Sequence, residues 1–171
     1  MATLIAFAGL PGTGKSTIAA ALSKRTGAVF LRIDEIEASL RAHGPSRDIG
    51  PEGYHVAAAL AASNLRLGHD VITDCVNPWP LTRTIFAEAA ERARAAMLGV
   101  EILCSDSVEH RGRVETRTLD IPGGSLPDWP AVEARDYTPW HDADLHIDTA
   151  TTPVAEAVSL ILRRLLYHPV R

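Results

Sequence analysis

Gly9-Leu10-Pro11-Gly12-Thr13-Gly14-Lys15-Ser16 matches G-x-x-x-x-G-K-[ST] in full, in the setting that gives the pattern chemical meaning. Thr3-Leu4-Ile5-Ala6-Phe7-Ala8 before it reads as a buried strand, and the stretch from Ser16 to Lys24 reads as a helix. The glycines let the backbone curl, so that several N–H groups converge on one concavity at the positive end of the helix dipole. Gly9 through Thr17 are therefore the expected wall of a phosphate site. Lys15 can reach β- and γ-phosphates, and the Ser16 hydroxyl suits Mg²⁺. The pattern implies binding of a nucleoside triphosphate.

Phosphoryl transfer also requires a metal, a group that orients the attacking oxygen, and cations around the moving phosphate. Asp34 closes the apolar run Phe30-Leu31-Arg32-Ile33, and Asp74 closes Val71-Ile72-Thr73. Ligands of open α/β sheets gather at the carboxyl ends of strands, so both carboxylates are placed to act. Asp34 is the expected proton acceptor, although it also suits the cap of a helix over 35–41. Asp74 is the expected metal-side carboxylate. Arg111, Arg113 and Arg117 follow on a helix predicted from about Asp106. Arg113 and Arg117 lie four residues apart, where like charges repel unless an anion sits between them. Arg111 reads as a solvated surface residue. Asn77, Arg83, Arg47 and Tyr54 are further candidates for the acceptor pocket, Arg83 because a cation near a helix N-terminus opposes the dipole. The seven histidines show no metal-ligand spacing and read as surface or capping residues.

The elements that must position these groups alternate strand and helix, the pattern of a parallel sheet covered on both faces. Strands are predicted at 3–8, 28–32, 70–74, 100–104 and 145–147, each nearly continuously apolar, as strands buried on two sides are. Leu81, Ile85, Phe86, Ala89, Ala93 and Met97 share a helical face, with Pro80 in the first turn, Gly99 beyond the end, and Glu88 paired to Arg92. A helix over 54–67 is alanine-rich. A last helix carries Val154, Val158, Ile161, Leu162 and Leu165, with Thr152 as cap and Pro153 at its first position. Segments 43–53 and 121–130 hold the Gly and Pro that break elements and read as substrate-facing loops.

At 171 residues the chain is expected to form one domain, 1–171, with a lid over about 106–140. Apolar residues make up 46% and charged residues 22%, a globular composition. The formal charge of −4 supplies no field that would draw nucleic acid or an anionic membrane. Only two lysines occur, Lys15 and Lys24, against fifteen arginines, so half of the lysines lie in or beside the phosphate loop. Cys75 and Cys104 are too few for a disulfide framework and are expected to be reduced. The apolar start lacks a basic flank, and no apolar run approaches the roughly 20 residues of a membrane span, so a cytoplasmic location is expected. The pattern specifies no oligomeric state.

The succession GLPGTGKST, RIDEI, VITDCVNPWPLTR, CSDSVEHRGRVETR, RDYTPW and HIDT resembles the P-loop kinases grouped as AAA_33-type ATP-binding proteins. That group is similar to the kinase domain of phage polynucleotide kinase, chloramphenicol phosphotransferase and the zeta toxins. The resemblance implies a three-layer α/β/α sandwich with a five-stranded parallel sheet of order 2-3-1-4-5 and a small helical lid. It implies Asp34 as general base and Arg113 or Arg117 over the transferring phosphate. The segment after Ile147-Asp148-Thr149 would lie against the adenine, and Thr149 is counted among the nucleotide-binding residues. The expected activity is ATP- and Mg²⁺-dependent phosphorylation of a hydroxyl on a small molecule. A nucleotide or polynucleotide 5′-kinase, and a nucleotide-dependent switch or slow ATPase, are the alternatives.

Overall fold

A computed structural model describes residues 1–44 and 49–167; Arg47 lies outside them. Five strands form one parallel sheet: β1 (Thr3–Ala8), β2 (Val29–Arg32), β3 (Val71–Asp74), β4 (Ala96–Leu103) and β5 (Leu145–Asp148). Their order is β2-β3-β1-β4-β5, as the resemblance implies. The helices are α1 (Lys15–Thr26), α2 (Ile33–His43), α3 (Glu52–Arg66), α4 (Pro80–Ala93), α5 (Ser107–Thr116), α6 (Trp129–Glu133) and α7 (Val154–Leu166).

Strand geometry explains the layering, because successive side chains point to opposite faces. From β1, Ile5 and Phe7 enter a core with Ile18 and Leu22 of α1 and Val158 and Ile161 of α7. Leu4 enters the opposite core with Ala57, Ala61 and Leu65 of α3 and Ile85, Phe86 and Ala89 of α4. The alanines of α3 let it lie close to its neighbours, and each large side chain such as Phe86 contributes roughly 1.5–3 kcal/mol on burial. Ala6 and Ala8 leave room on that same face for Trp140.

Two sequence expectations require correction. The α4 helix stops at Ala93, because Arg94 turns left-handed with φ 54° and the Ala95 N–H returns to the Ala90 carbonyl. Met97 and Gly99 therefore belong to β4, where they pair with Leu4 and Ala6 of β1. A side chain at position 99 would collide with Trp140, whose ring lies 2.7 Å from the place of its Cβ. The α7 helix begins at Val154, so Pro153 takes the cap position and Thr152 lies outside it. The Glu88–Arg92 pair forms as expected, at 3.5 Å.

Parallel strands end at one edge, so the turns after all five strands gather there. The phosphate loop follows β1, Asp34 follows β2 within the first turn of α2, and Asp74 is the last residue of β3. Cys104 follows β4 and Thr149 follows β5. The two cysteines are unbonded. Among the described residues no helix is long and apolar enough to cross a membrane.

Candidate active site

The phosphate loop is held in shape from behind. Gly9 has φ +137°, its N–H donates to the Val76 carbonyl at 3.0 Å, and a Cβ there would sit 2.1 Å from the Ile102 carbonyl oxygen. The loop then folds over Leu10, whose carbonyl accepts from Lys15 Nζ at 2.8 Å and from the Thr13 hydroxyl at 2.9 Å. Pro11, Gly12, Gly14, Lys15, Ser16 and Thr17 line a cleft of about 870 Å³. Gly9, Leu10 and Thr13 instead line a cavity of about 110 Å³ on the other side of the loop.

The acidic groups meet the loop across this cleft. Asp74 is 3% exposed, and burial pushes its carboxyl above the usual range while Lys15 and the Ser16 hydroxyl pull it back. Burial likewise lowers Lys15, opposed by the charges of Asp74 and Asp34. The buried Asp74 Oδ2 has no hydrogen-bond partner; its nearest cation is Arg32, with Nε at 3.7 Å. A hydroxyl and an unsatisfied carboxylate oxygen on one cleft wall are hard donors of the kind Mg²⁺ prefers, so Ser16 and Asp74 fit that ion. Asp34 is exposed to the cleft in the first turn of α2. It is not the cap of that helix, a position that Arg32 occupies with its side chain elsewhere.

Arg113 and Arg117 have different partners. Arg113 on α5 donates to the Thr149 hydroxyl at 2.7 Å and to the Thr149 carbonyl at 3.1 Å, and it also pairs with Glu109. The Thr149 hydroxyl lies 2.8 Å from the Thr13 carbonyl, so α5 is joined to the phosphate loop through the turn after β5. Arg117 is the residue that ends α5, with its backbone already extended, and does not share the helical face expected of it. Its Nε and Nη2 are buried without a hydrogen-bond partner. Burial lowers its affinity for a proton, and the charge of Asp34 opposes that. A desolvated guanidinium facing a cleft is a site for an anion. Arg111 pairs with Glu115 on the exposed face at 2.7 Å.

Three of the acceptor candidates lie away from the cleft. Arg83 is 7% exposed, donates to the carbonyls of Asn77 and Pro139 at 3.2 and 3.4 Å and to that of Thr138, and lies over the rings of Tyr137 and Trp140. Asn77 is fully buried with φ 50°, and its N–H donates to the Tyr54 hydroxyl at 3.1 Å. Tyr54 packs on Phe86. These residues brace the turn after β3. Of the described acceptor candidates, Asp34 alone lines the cleft.

Other residues face the cleft unforeseen. Arg32 forms a bidentate pair with Asp120, at 2.6 and 3.2 Å, across the cleft mouth. Glu37, one turn along α2 from Asp34, pairs with Arg41 at 2.9 Å, and Arg135 completes that wall. The available signal was spacing: Arg32 ends an apolar strand at the carboxyl edge, and Glu37 lies three residues from Asp34 on one helical face. His110 is buried rather than superficial. Its i, i+3 relation to Arg113 would have placed it on the inner face of α5.

A parallel sheet of this order, with a glycine-lined phosphate loop and acids at its carboxyl edge, defines a P-loop kinase-like fold. A family model described as an AAA domain (AAA_33) matches residues 4–123, and the chain belongs to that family. No curated protein matches it. Among solved structures it is similar to a candidate kinase from Chloroflexus aurantiacus j-10-fl, at 21% identity and TM-score 0.76, over 98% of each chain. It is also similar to the APS kinase CysC of Mycobacterium tuberculosis in complex with AMPPNP and APS, at 19% identity and TM-score 0.70, over 96% of this chain and 98% of that one. A sugar kinase from Janibacter sp. HTCC2649 matches at 18% identity and TM-score 0.68, over 99% of this chain and 96% of that one.

Proposed function

We propose that this chain is an ATP- and Mg²⁺-dependent kinase that phosphorylates a hydroxyl of a small molecule. One observation carries the reading: Asp34 opens onto the same cleft as the phosphate loop, Asp74 and the unpartnered guanidinium of Arg117. Proton acceptor, phosphate cradle and charge-stabilising cation thus share one cleft. The AMPPNP complex of the APS kinase and the kinase neighbours support the same class.

In this mechanism the loop amides and Lys15 hold the triphosphate of ATP, and Arg113 of α5 with Thr149 after β5 borders the nucleoside. Asp34 accepts the proton of the acceptor hydroxyl as its oxygen bonds to the γ-phosphorus and the bond to the bridging oxygen of ADP breaks. Arg117 stabilises the charge on the equatorial oxygens during transfer. Ser16 and Asp74 would hold Mg²⁺, which neutralises phosphate charge when bound.

The test uses labelled ATP with a panel of sugars, nucleosides, aminocyclitols and single-stranded DNA, scoring phosphorylated product against free phosphate. Asp34→Asn should lose transfer by at least about 10²-fold, within the usual share of general-base catalysis, while still binding AMPPNP. Lys15→Ala should lose both. Undiminished product from the Asp34 variant refutes its role as base, and free phosphate alone from the wild-type chain would point to an ATPase.

A further inference from the structure

Among the described histidines only His110 is buried, and it stands on α5 with its side chain directed at the phosphate loop. Its Nε2 lies 2.8 Å from the Pro11 carbonyl oxygen. A carbonyl can only accept, so Nε2 carries the hydrogen. The ring is held edge-on against Trp129 of α6, with centroids 5.1 Å apart and planes at 81°. The same helix also presses on the loop: a Cβ at Gly12 would lie 2.5 Å from a Val114 methyl and 3.3 Å from the His110 ring.

The peptide unit joining Pro11 to Gly12 is planar and trans, so its C=O and N–H point in opposite directions. His110 borders the small cavity behind the loop, whereas Gly12 borders the main cleft. Drawing the carbonyl backward therefore turns the Gly12 N–H forward, toward the place of the phosphates. Gly12, at φ +85° and with no side chain, offers little steric resistance to rotation of that plane. The hydrogen bond from His110 supplies the missing constraint.

We propose that His110 is a positioning residue that aims the Gly12 amide at the nucleotide phosphates; this rests on the nucleotide-binding reading above. It contacts no reacting atom. Its effect is transmitted through one peptide plane, and the group responsible is the Nε2–H donor rather than the bulk of the ring.

The experiment is titration calorimetry of the full chain with AMPPNP and Mg²⁺, paired with ¹⁵N-amide NMR of Gly12. His110→Leu keeps bulk and removes the donor, and should weaken AMPPNP about tenfold, the scale of one charge-assisted hydrogen bond. The downfield shift of the Gly12 amide on nucleotide binding should disappear with it. His110→Gln restores a donor at the same reach and should return affinity to within about twofold of wild type, along with the shift. Where the leucine variant does not fold, His110→Asn, too short to reach Pro11, should show the same tenfold loss. Wild-type affinity in the leucine or asparagine variant overturns the proposal, as does a glutamine variant that binds as weakly as leucine. A wild-type chain that binds no AMPPNP overturns instead the nucleotide-binding reading beneath it.

Discussion

Arg83→Ala removes a guanidinium that is 7% exposed and donates to the carbonyls of Asn77, Thr138 and Pro139. Those bonds fasten the segment over β4 and α4 to the turn after β3, and Tyr137 and Trp140 cover the cation at 5.8 and 5.2 Å. Hydrogen bonds from a charged donor contribute about 1.5–3 kcal/mol each, and the 3.4 Å bond to Pro139 lies at the weak end. Taking the other two at the lower figure gives a loss of about 3 kcal/mol. For a chain of this size that corresponds to a fall in Tm of roughly 6–12 °C. Arg83→Lys keeps the charge but not the fork, and should recover less than half of the loss. Calorimetric melting of the three proteins measures the shift, and AMPPNP titration at a temperature where all are folded should give near-equal affinities. An unchanged Tm together with abolished phosphoryl transfer would refute the bracing role and return Arg83 to the acceptor site.

Gly9→Ala places a Cβ 2.1 Å from the Ile102 backbone oxygen at φ +137°, where neither partner can yield cheaply. It should destabilise by at least about 2–3 kcal/mol in urea denaturation, and a loss under about 1 kcal/mol would contradict the packing described. Asp120→Asn tests the pair across the cleft mouth. The guanidinium of Arg32 holds the Asp120 carboxyl below its usual value, so the stabilisation is present above the ordinary carboxyl pKa and is lost as pH falls through the lowered one. With 62% of the Asp120 side chain exposed, the loss at neutral pH should stay below about 1 kcal/mol and shrink in 1 M salt. A loss that persists below about pH 2, or that ignores salt, would contradict an ionic origin.

The sheet was legible because its signal is redundant. β1, β2 and β4 are largely apolar runs, and β1, fully buried beyond Thr3, announces a central strand. The boundary after α4 was not legible, because Ala93-Arg94-Ala95-Ala96-Met97 continues a good helical stripe. Only the left-handed turn at Arg94 and the pairing of Ala96 with Thr3 end it, and both are tertiary facts. The distinction between Arg113 and Arg117 was hidden for a related reason. Four-residue spacing predicts a shared face only while the helix lasts, and α5 stops at Thr116.

On the kinase reading proposed above, the phosphate end and the acceptor end of the cleft differ in how they are encoded. The first is made of backbone amides whose placement needs glycine at fixed positions, so composition alone writes it into the chain. The second is made of long side chains from separate elements: Arg32 from β2, Glu37 and Arg41 from α2, Asp120 from a coil segment and Arg135 beyond α6. Their meaning depends on who pairs with whom, and in the folded chain Glu37 takes Arg41 and Asp120 takes Arg32. Only the i, i+4 pairing of Glu37 with Arg41 leaves a trace in spacing; the Arg32–Asp120 pair leaves none. The lid divides in the same way. The α5 helix meets the loop through His110 and Val114, and its Arg113 reaches Thr149, so it lies on the phosphate-loop side of the cleft. What spans the acceptor end is the coil between Arg117 and Asp128, whose ion pair to Arg32 lies at the cleft mouth. On the same proposed kinase reading, closure over an acceptor falls to that coil and its bidentate pair to Arg32, with the nucleotide-binding groups held by the sheet.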